Sequence, residues 1–169
     1  YSEKHIMPEN KLVPVPDGVS NEVASCITLK GITAEYLLHR AYHLKKGDKV
    51  LYHAAAGALG QILCPWANSI GAEIIGTVGS KEKEEIAKKN GCHHVINYTD
   101  KNFVEEVEKI VGKNGIDVVY DGVGLKTFEG SIEVLKIRGM MVAFGNASGY
   151  VDTIDVKKHI NAKGLFFTR

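Results

Sequence analysis

The sequence predicts an α/β fold: a doubly wound, six-stranded parallel sheet in the order 3-2-1-4-5-6 with helices on both faces. Three observations predict it. From Lys49 onward, six short apolar runs alternate with longer amphipathic ones, the pattern of repeated βαβ units. Most of these runs are rich in β-branched residues and show little alternation, as strands covered on both faces do. A cluster of small residues, Ala54 to Gly60, joins the first run to the helical pattern behind it.

Residues 1–19 hold Pro8, Pro14 and Pro16 and the turn pair Asp17-Gly18, and are expected to be an extended linker that cannot continue a helix. The domain proper is expected over residues 20–169. Its first part reads as two helices, 20–29 and 33–41, with Ser20 and Thr33 as N-caps and Gly31 breaking them apart. Glu35, Arg40 and His43 should face water. The strands fall at 49–54, 73–78, 94–97, 116–121, 139–144 and 164–168, with helices at 57–70, 81–90, 101–111, 127–135 and 155–161 between them. Right-handed crossovers through these helices give the stated order. No short-period repeat or low-complexity stretch interrupts it.

The bulk composition narrows the function. With 21 basic and 20 acidic side chains among 169 residues, nothing attracts nucleic acid or membrane broadly. Cys26, Cys64 and Cys92 are odd in number and form no C-x-x-C pair, so they read as buried thiols in a reducing compartment. There is no apolar run of 18 residues and no basic-then-apolar leader, which points to a cytoplasmic protein. The chain opens at Tyr1 without Met and stops just after Gly164-Leu165-Phe166-Phe167, and is expected to be a piece of a longer two-domain protein.

The turn after the first strand reads Ala54-Ala55-Ala56-Gly57-Ala58-Leu59-Gly60, an A-x-G-x-x-G version of the glycine-rich phosphate loop. Its small side chains let backbone N–H groups and a positive helix end approach a pyrophosphate, while Gly60 lets the helix pack close against the strand. Tight packing alone is the competing reading, and the six-strand frame favours the phosphate loop. At the end of the second strand an NAD site places an acid for the ribose hydroxyls. This chain has Gly76-Thr77-Val78-Gly79-Ser80-Lys81-Glu82-Lys83, with no acid at the strand end. Ser80 and Lys83 (or Lys81) suit a 2′-phosphate, so the residues point to NADPH. The competing reading is a solvated first helical turn, although lysines there oppose the helix dipole.

Ligands of this fold lie outside the carboxyl ends of the strands where the order reverses. The loops there are Tyr120-Asp121-Gly122-Val123-Gly124 and Phe144-Gly145-Asn146-Ala147-Ser148-Gly149. Asp121 reads as a carboxylate capping a strand-to-helix turn rather than an acid–base group. Tyr98 lies either over the adenosine phosphate or against the sheet edge. His53 reads as a satisfied core residue, and His93-His94 lack a third ligand at metal spacing.

These stretches, with Ile75 to Ser80 and Asn97-Tyr98, resemble the NADPH:quinone oxidoreductases, zinc-free members of the medium-chain dehydrogenase/reductase superfamily related to zeta-crystallin. That family's loop is usually A-A-x-G-G-V-G, and here Ala58 and Leu59 replace the second Gly and the Val. The resemblance implies that Gly57, Ala58 and Leu59 form the phosphate loop and that Thr33 lines the nicotinamide region. It implies that Gly79, Ser80, Lys83 and Tyr98 hold the 2′-phosphate end, with Gly122, Phe144, Gly145 and Ala147 along the ribose and nicotinamide. It also implies hydride transfer to a quinone or similar conjugated acceptor, no metal, and catalytic groups outside this chain. An enoyl or 2-alkenal reductase of the same superfamily is the alternative enzyme. A non-catalytic nucleotide- or RNA-binding crystallin-like module is the alternative class, against which the absent basic patch argues. The apolar fifth and sixth strands (Met140 to Phe144, Phe166, Phe167) suggest a homodimer through this domain.

Overall fold

A computed structural model describes residues 2–169. After a lead-in exposed through residue 18 and carrying one 3-10 turn, Glu9–Lys11, helix α1 runs over Asn21–Glu35 and continues into a π-helical turn, Tyr36–Ala41. There follow β1 (Lys49–His53), α2 (Gly60–Ile70), β2 (Glu73–Val78), α3 (Lys81–Lys89), β3 (His94–Asn97) and α4 (Phe103–Val111). The second half has β4 (Ile116–Asp121), α5 (Phe128–Val134), β5 (Leu135–Ala143), a π-helical turn at Val156–Asn161 and β6 (Phe166–Thr168).

All six strands pair in parallel in the order β3-β2-β1-β4-β5-β6, as the sequence predicts. Along each central strand, successive side chains enter opposite cores. Val50 and Tyr52 join Leu37, Leu63 and Ala67 under α1 and α2. Leu51, between them, joins Val107, Phe128 and Ile132 under α4 and α5. Two-sided burial is why these strands read as continuous apolar runs, each fully buried Leu or Ile contributing about 2 kcal/mol.

The structure corrects several expectations. Gly31 does not break the helix. Ser20 caps α1, its Oγ accepting from Val23 N–H at 3.3 Å, but Thr33 lies inside α1 and its hydroxyl donates to Leu29 O at 2.7 Å. A glycine costs a helix interior roughly 1 kcal/mol, less than burying Ala34, Leu37 and Leu38 on the following turns returns. Helix α2 starts at Gly60 rather than residue 57, because the intervening residues form the loop. Strand β5 starts at Leu135, four residues early, and passes through Arg138 at φ 60°. Cys26 is exposed on α1, whereas Cys64 and Cys92 are buried. Glu35 is only half-exposed, ion-paired with the exposed Arg40 at 2.9 Å.

Candidate functional site

The carboxyl ends of β1, β2 and β4 carry the loops that shape a crevice. β1 ends at His53, and Ala54 follows at φ 62°, a left-handed conformation that costs an alanine roughly 1 kcal/mol. The loop it starts is held by Ala55 N–H donating to Thr77 O of β2 at 3.0 Å and by Gly57 N–H donating to Ala54 O at 2.9 Å. The amides of Ala58 and Leu59 precede α2 and have no backbone acceptor among the described residues. They remain as donors for an anion at the positive end of the helix. Ala58 is exposed and Leu59 is buried. A side chain on Gly60 would overlap the Ala55 carbonyl, and one on Gly57 would come within 3.1 Å of Ala54 O, so only small residues permit this turn.

At the end of β2 come Gly79 and Ser80, with no acidic side chain before α3. The neighbouring Ser80 hydroxyl, then the helix-start backbone, hold the exposed Glu82 carboxyl below its ordinary range. Lys81 and Lys83 are exposed, and neither forms an ion pair among the described residues. Gly57, Gly79, Lys83 and Tyr98 share one cleft of about 110 Å³. Tyr98 is half-exposed, and its hydroxyl comes so close to Gly79 that a Cβ there would sit 2.6 Å from it. A larger cleft of about 550 Å³ shares Ala54 and Tyr98 with the first and extends to Val123, Lys126 and Ala147.

The β4 and β5 loops form the other side. The Phe144 ring lies where a Cβ on Gly122 would come within 2.9 Å, and a Cβ on Gly145 would come within 2.7 Å of Gly122 O. Phe144 and Gly145 N–H both donate to Asp121 O, at 2.9 and 3.3 Å. Of the residues predicted at the strand ends, Gly57, Gly79, Lys83 and Tyr98 thus line one cleft, Ala147 lines the larger cleft that adjoins it at Tyr98, and Gly145 lines a separate cleft with Asp121 and Phe167. Thr33 stands apart: it sits in α1, its hydroxyl is bonded within the helix, and it lines none of these clefts.

Beneath the crevice runs a buried polar chain that sequence reasoning did not assemble. Thr77 Oγ1 lies 2.9 Å from His53 Nδ1, and His53 Nε2 lies 2.9 Å from Ser131 Oγ. Ser131 donates to Asp121 Oδ2 at 3.2 Å, as does Thr127 at 2.7 Å. The other oxygen, Oδ1, accepts the N–H groups of Val123 and Gly124 at 2.7 and 2.9 Å. Asp121 is thus the loop cap expected of it, and His53 the satisfied core residue expected of it. Burial pushes the His53 imidazole below its ordinary range, against the pull of Asp121. His53 and Ser131 lie far apart in sequence, and the one signal available was a histidine ending an otherwise apolar strand.

His93 Nδ1 accepts from Ile74 N–H at 3.0 Å and His94 Nε2 pairs with Glu73 at 3.1 Å, so both serve the β2–β3 edge. Among the described residues no three potential ligands gather into a metal-binding group.

Sheet order and loop position together define a Rossmann-class α/β domain. More particularly, the chain belongs to the zinc-binding dehydrogenase family, whose model matches residues 58–168. It is 46% identical over 172 residues to a 2-haloacrylate reductase from a Burkholderia species, covering all of this chain and 52% of that protein. It is 43% identical over 170 residues to quinone oxidoreductase 1 of Escherichia coli, again covering all of this chain and 52% of that protein. The crystal structure of Escherichia coli quinone oxidoreductase complexed with NADPH superposes with a TM-score of 0.88 at 43% identity, covering 93% of this chain and 48% of that one. The resemblance to quinone oxidoreductases read from the loops thus holds along the chain. The chain spans about half the length of the curated relatives it matches.

Proposed function

We propose that this chain is the NADPH-binding domain of an oxidoreductase that reduces a quinone or similar conjugated acceptor. The observation that carries the reading is the β2 end: no carboxylate between the strand and α3, an exposed Lys83 that forms no ion pair among the described residues, and a neighbouring loop in which the Ala58 and Leu59 amides have no backbone acceptor among those residues. An unpaired acid there would repel a 2′-phosphate, and a lysine attracts it. NADPH supplies a hydride when bound. Gly57, Ala58 and Leu59 would hold the pyrophosphate; Gly79, Ser80, Lys83 and Tyr98 the 2′-phosphate end; Gly122, Phe144, Gly145 and Ala147 the ribose and nicotinamide. Excluding water and fixing orientation are what such residues contribute to transfer. The complex of NADPH with a similar protein supports the cofactor.

A second reading is favoured by the likeness to a 2-haloacrylate reductase: the acceptor is a conjugated alkene rather than a quinone. Rates of NADPH oxidation by the full-length protein with a quinone and with a 2-haloacrylate separate the two. The reading also takes in a cytoplasmic location, no nucleic-acid partner, and a homodimer through the β6 edge, where Phe166 and Phe167 are exposed. No helix among the described residues is long and apolar enough to cross a membrane. Light scattering tests the dimer, and a monomeric mass refutes it.

Calorimetric titration with NADPH and with NADH tests the cofactor. NADPH should bind more tightly, and Lys83→Ala should weaken it about tenfold, the loss of roughly one charge-assisted hydrogen bond. Equal affinity for the two dinucleotides overturns the reading.

A further inference from the structure

We infer that His53 is a positioning residue which, through one directed hydrogen-bond chain, ties the loop between β1 and α2 to the loop after β4. The inference rests on the proposed dinucleotide reading only for its effect on affinity; the coupling itself is a property of the protein.

The direction of the chain follows from its last member. The Asp121 carboxylate can only accept, so Ser131 donates its single proton to Oδ2 and must accept from His53. His53 therefore carries its proton on Nε2, pointing at Ser131 Oγ 2.9 Å away. That leaves Nδ1 as an acceptor, and the Thr77 hydroxyl 2.9 Å away is its donor. Each polar atom is satisfied in one arrangement: Thr77 to His53, His53 to Ser131, Ser131 to Asp121. The burial that disfavours an imidazolium at this site agrees with a neutral ring.

Both ends of the chain reach the crevice through backbone. Thr77 O accepts the Ala55 N–H that anchors the phosphate loop, and Asp121 accepts the N–H groups of Val123 and Gly124 that shape the turn after Gly122. His53 itself is followed by Ala54 at φ 62°. The ring also meets Phe103 edge-on, centroids 5.1 Å apart, at the start of α4 beside the larger cleft. His53, Thr77, Asp121 and Ser131 are all at least nine-tenths buried, so water does not replace a broken link, and a lost partner leaves an unsatisfied buried group.

The test uses His53→Gln and His53→Leu in the full chain, with three readouts. In the wild type, imidazole 15N shifts should report the neutral Nε2–H tautomer at neutral pH. Without nucleotide, His53→Leu should speed amide exchange at Val123 and Gly124 about tenfold, the effect of losing about one net hydrogen bond. With NADPH it should weaken binding by a similar factor. His53→Gln, which keeps a donor and an acceptor, should restore both. Should His53→Leu fail to fold, Ser131→Ala cuts the chain one link later and should deprotect the same two amides. An Nδ1–H tautomer or an imidazolium, or unchanged exchange at Val123 and Gly124 in a folded variant, overturns the inference. Failure of the wild type to bind NADPH refutes only the cofactor reading, since exchange and tautomer decide on His53 without nucleotide.

Discussion

Two glycines of the crevice, alike in sequence, differ in what a methyl would meet. At Gly60 the obstacle is the Ala55 carbonyl, part of the backbone, which cannot move without taking the loop along. Gly60→Ala should therefore destabilise the fold by about 1–3 kcal/mol. At Gly79 the obstacle is the tip of Tyr98, whose ring is half-exposed and can swing outward. Gly79→Ala should change stability by less than about 0.5 kcal/mol. It should nonetheless weaken NADPH binding, because Tyr98 would leave the cleft that it walls together with Lys83. Denaturant melts and calorimetry on both variants check the contrast, and equal losses of stability would contradict it. Sequence alone assigned Gly60 to packing and Gly79 to the cofactor. It could not show that the two roles rest on a rigid and a yielding neighbour.

At the level of elements, legibility followed burial. The bounds of β2, β3 and β4 are those predicted, because each is a short apolar run flanked by polar or glycine residues. Two of the errors arise where the structure overrides a local signal. Gly31 is a helix breaker by propensity, yet α1 continues through it to place Ala34 in the core and to lead into the π-helical turn that buries Leu37 and Leu38. Tyr120 of β4 then donates its hydroxyl to Leu37 O at 3.0 Å, a link between distant segments that no local pattern announces. Arg138 likewise concealed the start of β5, since a left-handed residue is not expected inside a strand. Nothing lies within 4 Å of where a Cβ on Gly31 would be. Gly31→Ala should accordingly stabilise the protein by about 0.5–1 kcal/mol, seen as a higher denaturation midpoint. No gain would mean that the helix is frayed at that point.

For the molecule as a whole, one buried imidazole sets part of the pH response. The folded state holds His53 below the free-imidazole value of about 6.5. Between those two values the unfolded chain binds a proton that the folded chain does not, so stability rises with pH across that window. Above about 6.5 both forms are neutral and the contribution is constant. The melting temperature should therefore fall as pH drops below about 6.5, and His53→Gln should flatten that fall. An unchanged slope in the variant would remove His53 as the cause.

The sheet order has a kinetic consequence. β1 to β3 form from one half of the chain and β4 to β6 from the other, and within the sheet the two halves join where residues 50–52 pair with residues 118–120. That closure spans the longest stretch of chain between paired strands and carries the greatest loop-closure entropy. The crevice straddles this same seam, so it comes into being with the slowest contact to form. A nucleotide can engage only molecules in which the halves have already joined. At one hundred times its dissociation constant it would hold them together by about 2.7 kcal/mol, acting as a latch on the last step of assembly.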